Sequence, residues 1–298
     1  MLRLARLISS TSATVESKLL NIRCGNHLMI NSQLIIQFQK ALYRSAFFMP
    51  VRNTFLCLAV SLLLTLTGCE AKPNYQKVKW IYDGDTLLLK DGRKIRLIGI
   101  NAPEVAHHGR KGQRYGREAT EKLRELLKSA NNKVRLERGK QAKDRYKREL
   151  AHVFLSDGTD VSEWMLQQGW ATLMVFPPNT RYLNHYRKAE RSAQLKKRHI
   201  WHQKTHKIRK PRQLKGAYQG YVRLKSTIKS IKITKNNIIL QLDQKIFIKL
   251  AKRNLKYFNR YDPKKLLHQE VIISGLLQKY RGKRIIRLRH PVQLTLVD

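Results

Sequence analysis

Residues 78–101 constrain the fold more than any other stretch of the chain. Val78-Lys79-Trp80-Ile81-Tyr82 reads as a strand, Asp83-Gly84 as a turn and Thr86-Leu87-Leu88-Leu89 as the returning strand. Asp91-Gly92 is a second hairpin signal. Residues 94–100 then alternate, with Ile95, Leu97 and Gly99 opposite Arg96, Ile98 and Ile100. Such a meander must bury one face. The residues that follow offer cover. Ala119, Leu123, Leu126, Leu127 and Ala130 share one helical face within 116–130. Residues 134–136 and 150–155 read as two more strands. Asp160-Val161-Ser162-Glu163 starts a short helix that ends near Gly169, and 182–200 is a last helix with a very basic exposed side. Five short strands and about three helices predict a small barrel with helices packed around it.

Acidic residues are scarce: 20 against 61 Lys plus Arg, for a net charge of +41. Charge of this size points to polyanion partners, either nucleic acid or an anionic membrane surface. Residues 70–204 carry 30 basic and 15 acidic side chains, and residues 205–298 carry 24 and 4. The last third therefore looks like a polyanion-binding unit, and the middle like the place for acidic chemistry. All three cysteines, Cys24, Cys57 and Cys69, precede residue 70, which excludes a disulfide or a cysteine-ligated zinc from the folded part.

Against that basic background two motifs stand out, Asp83-Gly84-Asp85-Thr86 and Arg96-Leu97-Ile98-Gly99-Ile100-Asn101-Ala102-Pro103-Glu104. Together they hold three carboxylates and one carboxamide within 22 residues. Oxygen-rich clusters hold hard cations, and an arginine beside a metal suits phosphate chemistry. Read alone, each motif is also compatible with a turn, a strand and a proline-capped loop. Further on come Asp144-Arg145-Tyr146-Lys147-Arg148-Glu149-Leu150-Ala151, then Gly169-Trp170-Ala171, Pro178-Asn179-Thr180 and Ile200-Trp201.

In this order and spacing, from about Lys77 to Trp201, the chain resembles the staphylococcal nuclease-like (thermonuclease) family. The resemblance implies an OB-type five-stranded barrel that hydrolyses phosphodiester bonds of DNA and/or RNA with Ca²⁺. It implies that Asp85, Asn101 and the Ala102 carbonyl hold the metal, with Asp83 and Thr86 supporting them. Glu104 would position or deprotonate the attacking water, and Arg96 and Arg148 would clamp the phosphate. Arg145 and Tyr146 would lie near the nucleotide. Two departures weaken the pattern. The family most often has an aspartate where this chain has Asn101, and fewer carboxylates should weaken Ca²⁺ binding. Residues 173–176 lack the tyrosines with which the best-known members sandwich a base; Phe176 is the aromatic there. The alternative is a nucleic-acid-binding lipoprotein whose nuclease-type barrel is weak or inactive. His199, His202 and His206 have metal-like spacing but no acidic or cysteine partner nearby, and read as a cationic helix terminus.

The domains are expected at 70–204 for the nuclease-like barrel and 217–298 for a second, smaller β-rich domain, OB-like being one reading. Residues 205–216 between them read as a basic linker. In the second domain the period-two stretches are 227–233, 238–243, 245–250, 271–277 and 284–288, with Asn236-Asn237 as a turn and 255–267 partly helical and broken at Pro263. Tyr218, Tyr221, Tyr257, Phe258 and Tyr280 either stack bases or fill the core. No protein partner is implied, and a monomer is expected.

At the N-terminus a 13-residue apolar run, 55–67, follows Arg52 and leads into Leu66-Thr67-Gly68-Cys69. A basic flank, a short apolar run and small residues describe a secretory signal. The ending is similar to the bacterial lipoprotein signal, in which the cysteine is lipidated. Residues 49–68 are thus expected to be a signal peptide and Cys69 a lipid-carrying membrane anchor, with 1–48 an over-extended start or a targeting segment. The expected address is the bacterial cell envelope, the outer membrane where there are two, because Glu70 follows the cysteine. A secreted or periplasmic protein is the alternative, and a charge-driven membrane- or wall-binding lipoprotein a third reading.

Overall fold

The computed structural model describes residues 74–298, apart from 107, 108, 110, 203–205, 215–219, 244, 260 and 298. The signal peptide and Cys69 therefore lie outside the described residues. Among the described residues no helix is long and apolar enough to cross a membrane.

Residues 72–298 form one compact unit built from two β-rich halves. The first half runs β1 (Tyr75–Asp83), β2 (Thr86–Leu89), β3 (Lys94–Leu97), β4 (Gly99–Asn101), α1 (Gly116–Ser129), β5 (Lys133–Lys143), β6 (Glu149–Phe154), α2 (Val161–Gln167), β7 (Thr172–Met174) and α3 (Leu183–Leu195). Strands β1-β2-β3-β6-β5 close into a barrel, with β3 and β6 parallel and the other pairs antiparallel. This is the expected OB-type arrangement. Its core joins Leu87, Leu89, Ile95 and Val153 of the barrel to Leu123 and Leu127 of α1 and Met165 and Leu166 of α2.

The alternation over 94–100 hides a break. After Leu97 the chain leaves the barrel, and β4 pairs with β7 as a separate two-stranded sheet. Gly99 sits at the break with φ of 90°, and a methyl there would run into the Tyr186 ring. Only glycine takes that backbone against that ring without strain.

The second half runs β8 (Ile208–Arg209), β9 (Gly220–Thr227), β10 (Ser230–Ile233), β11 (Asn237–Gln241), β12 (Ile246–Ala251), two 3-10 turns (Lys252–Tyr257 and Pro263–Leu266), β13 (Glu270–Tyr280), β14 (Lys283–Leu288) and β15 (Leu294–Leu296). The sheet order is β10-β11-β12-β14-β13-β9-β8, with β15 on β13. Strands β9 and β10 are two halves of one bent strand. The Ile228 N–H donates to the Gln269 carbonyl at 3.1 Å, on the β13 side, and the Lys229 N–H donates to the Gln241 carbonyl at 2.8 Å, on the β11 side. Counted as one strand, β9–β10 closes the path, and the order repeats that of the first barrel. The parallel pair β12–β14 stands where β3–β6 stands. The second half is thus built on the OB-type plan.

The stretch expected to be a linker is partly structural. β8 pairs with β9, and Leu214 is buried in the second core. The two halves meet along a seam. Val292 packs on the first core, while Trp201 touches Tyr221 edge to face at 6.3 Å with Arg223 over its ring at 5.7 Å. His206 also lies here, 5.3 Å from the rings of both Trp201 and Tyr221, and burial pushes its pKa down to about 4. It is a neutral core histidine, not part of a cationic helix terminus. His199 stacks on Trp170 at 3.5 Å. Of the candidate base-stacking aromatics, Phe258 is buried, Tyr257 packs on the second core, Tyr221 fills the seam and Tyr280 is exposed. Tyr218 lies outside the described residues.

Candidate active site

The meander places the acidic motif where the barrel opens. In the β1–β2 turn the Asp85 N–H donates to Asp83 Oδ1 at 2.9 Å, which fixes the turn. Asp85 itself is buried, and its carboxylate is fully engaged. Oδ1 accepts from Thr86 Oγ1 at 3.0 Å and pairs with Arg96, and Oδ2 accepts from the Ala102 N–H at 2.8 Å. Arg96 faces Thr86 across the β2–β3 pair. Its guanidinium also donates to the carbonyls of Asp85 (3.2 Å) and Ile100 (3.1 Å), so main-chain oxygens hold it as firmly as the carboxylate does.

Arg148 arrives from the other side, in the loop that leads into β6, the parallel neighbour of β3. Asp144 orients it. Its carboxylate accepts from the Arg148 N–H (3.0 Å) and from Nε (2.8 Å). The far end of Arg148 then donates to Thr86 Oγ1 at 3.2 Å. Thr86 therefore bridges Asp85 and Arg148. Tyr146 is 64% exposed at the loop tip, with Arg145 over its ring at 4.7 Å and Arg148 at 5.5 Å.

The pairing of β4 with β7 sets Asn101. Its carbonyl accepts from Thr172 Oγ1 at 3.1 Å, and its amide donates to the Ala102 carbonyl at 3.3 Å. Glu104 follows on an exposed turn held to the start of α1, where its carbonyl accepts from the Gln113 N–H at 2.8 Å. Gly116 lies directly under that carbonyl, and a Cβ there would collide with it. The helix start is thereby pressed against the Glu104 turn.

Burial, and then the Asp85 charge beside it, push the Asp83 carboxyl up to about 7. Two adjacent carboxyls with too little positive charge between them favour a cation. Among the described residues no three His, Cys, Asp or Glu side chains gather as a metal site. A cation at Asp85 thus depends on neutral oxygens, the Ala102 carbonyl and the Asn101 amide. That donor set, all oxygen, fits a hard divalent ion.

The structure brings Asp83, Asp85, Thr86, Arg96, Asn101, Ala102 and Arg148 into one connected network, with Arg145 and Tyr146 on its rim and Glu104 on the adjoining turn. Sequence reasoning gave Asp144 no role, although it lies in the motif. Phe176, 43% exposed, has the Arg289 guanidinium over its ring at 4.4 Å, a contact with the second half that no local pattern announces.

Residues 94–203 match the family described as Staphylococcal nuclease homologue. The chain is 38% identical over 136 residues to a thermonuclease of Staphylococcus hyicus, covering 44% of this chain and 78% of that one. It is 36% identical over 127 residues to a thermonuclease of Staphylococcus intermedius, covering 42% and 74%. To endonuclease YncB of Bacillus subtilis (strain 168) it is 33% identical over 123 residues, covering 40% and 57%. The aligned part is the first barrel, and the active-site network lies at its mouth. With about three quarters of two thermonucleases matched in this way, the chain belongs to the staphylococcal nuclease family and is a nuclease.

Proposed function

We propose that this nuclease hydrolyses phosphodiester bonds of DNA and/or RNA with Ca²⁺ as its metal, and that it acts at the cell envelope. The observation that carries the reading is the Thr86 bridge, which holds an arginine on each side of the buried Asp85. Two guanidiniums fixed by main-chain and carboxylate acceptors are preorganised for the oxygens of one phosphate. Arg96 and Arg148 take the developing charge on those oxygens, and neither has to be ordered during the reaction. Glu104, exposed on its turn, receives the proton of the attacking water. Arg145 and Tyr146 meet the neighbouring nucleotide. Asp85, Asn101 and the Ala102 carbonyl would hold Ca²⁺, with Asp83 and Thr86 fixing Asp85. When bound, the ion supplies positive charge beside the phosphate. The envelope address rests on the sequence 55–69, with Cys69 as the lipid-bearing residue of the mature protein.

Degradation of plasmid and of single-stranded DNA in Ca²⁺ and in excess EGTA tests the chemistry. Cleavage should require Ca²⁺, and undiminished cleavage in EGTA removes the metal from the mechanism. Mass spectrometry of the purified N-terminus tests the address, and a free thiol at residue 69 overturns it.

A further inference from the structure

The second barrel has an open cavity of about 550 Å³ at the end where the β10–β11 turn, the end of β12 and the end of β14 come together. Six cationic side chains line it: Lys235, Lys249, Lys252, Arg253, Arg287 and Arg289. No carboxylate lines it, and among the described residues none of the six enters an ion pair. Packing like charges around a concavity costs folding stability unless an anion fills it.

The cavity is joined to the catalytic mouth. Arg289, on its wall, lies over Phe176 of the first half at 4.4 Å. Burial, and then the charges of Arg287 and Arg145, push Arg289 down to about 10, so the catalytic-loop arginine is within electrostatic reach of the cavity wall. Arg145 shares its loop with Arg148, which reaches Thr86 beside Asp85. The cationic groups thus form a continuous path from the scissile position through Arg145 and Arg289 into the cavity.

Resting on the nuclease reading above, we infer that this cavity is an extended substrate subsite. It takes the phosphodiester backbone of a single strand several nucleotides away from the bond being cut. A single strand can bend its phosphates into a concavity, whereas a duplex presents them on a convex rod. Lysine and arginine without an acidic partner bind such a backbone through counterion release, independently of base.

The test uses the full chain in EDTA, without turnover, and a fluorescent oligothymidylate of about 30 nucleotides, longer than one OB barrel covers. Lys252→Glu/Arg253→Glu should weaken binding at least tenfold and make the salt dependence of log K shallower by about 2. Cleavage of a tetranucleotide in Ca²⁺ should keep its kcat/KM, since neither residue belongs to the catalytic network. The milder Lys235→Ala/Arg253→Ala, both exposed, should keep the melting temperature and show a smaller loss of the same kind. Wild-type affinity and salt slope in both variants would overturn the inference. So would loss of binding to phosphatidylglycerol vesicles with oligonucleotide binding unchanged, which would assign the cavity to a lipid surface. A chain that cuts nothing in Ca²⁺ but still loses strand binding in the variants sinks the hydrolase mechanism alone and leaves the subsite standing.

Discussion

Thr86 Oγ1 is the atom on which the two sides of the active site converge, and it explains why single substitutions there should act on rate and not on folding. Arg148 is half-buried and held by Asp144, and Glu104 is exposed. Arg148→Ala or Glu104→Gln should therefore lower kcat by about a hundredfold or more with an unchanged circular dichroism spectrum. A variant that cuts DNA at the wild-type rate would strip that residue of its role. Asn101 is the residue where this chain departs from its relatives' usual chemistry. Asn101→Asp adds a charge next to the Ala102 carbonyl, so the Ca²⁺ concentration for half-maximal activity should fall. An unchanged titration would show that residue 101 does not touch the ion. At this scale the sequence was informative because acidic residues are rare in it, so Asp83, Asp85 and Glu104 stood out. Asp144 did not, because a carboxylate that orients an arginine looks like any other turn residue until the loop is closed around it.

Among the elements, α2 shows how a local signal serves a distant partner. Asp160 caps the helix, accepting from the N–H groups of Ser162 (2.8 Å) and Glu163 (3.1 Å) through Oδ1. Its Oδ2 accepts from the Tyr186 hydroxyl of α3 at 2.8 Å, and that hydroxyl meets His152 Nδ1 at 2.8 Å. Asp160→Ala loses a cap and leaves the buried hydroxyl short of an acceptor, and should cost about 2–4 kcal/mol in urea denaturation. Asp160→Asn keeps the cap and should cost less. Equal midpoints for the alanine variant and wild type would show that the helix needs no such cap. The capping signal was readable at residues 160–163, but the tyrosine was not, since nothing local ties it to them. The same limit explains the break at Gly99. A period of two tells which face a residue takes, not which strand it pairs with, so a change of partner at Ile98 leaves the alternation intact.

For the whole molecule, the decisive feature is the seam between the two barrels, because it turns an expected pair of tethered domains into one body. The second barrel's strands were readable from their alternation. Their closure was not, since it depends on Ile228 and Lys229 exchanging partners within one strand. The seam itself holds a titrating group. Glu190 of α3 accepts from the Leu173 N–H at 2.7 Å, and burial raises its carboxyl to about 7, with Arg223 of β9 pulling the other way. An unfolded glutamate ionises near 4.5. Between about 4.5 and 7 the folded state therefore holds a proton that the unfolded state has lost, and this contribution weakens as pH rises through that window. His206 in the same seam acts in the opposite sense. Its pKa of about 4 lies below the ordinary 6.5, so its contribution is lost as pH falls between those values. The two partly cancel in the wild type, so the difference between variants is the clean reading. Glu190→Gln should match wild type near pH 4.5, where both side chains are neutral. Above pH 7 it should be the more stable protein, by no more than about 3 kcal/mol, the full value of the shift. Urea midpoints at pH 4.5 and 8.5 measure this. A Gln variant that is destabilised at pH 8.5 would mean that Glu190 works as an ionised partner of Arg223, and the seam would then be held by a buried ion pair.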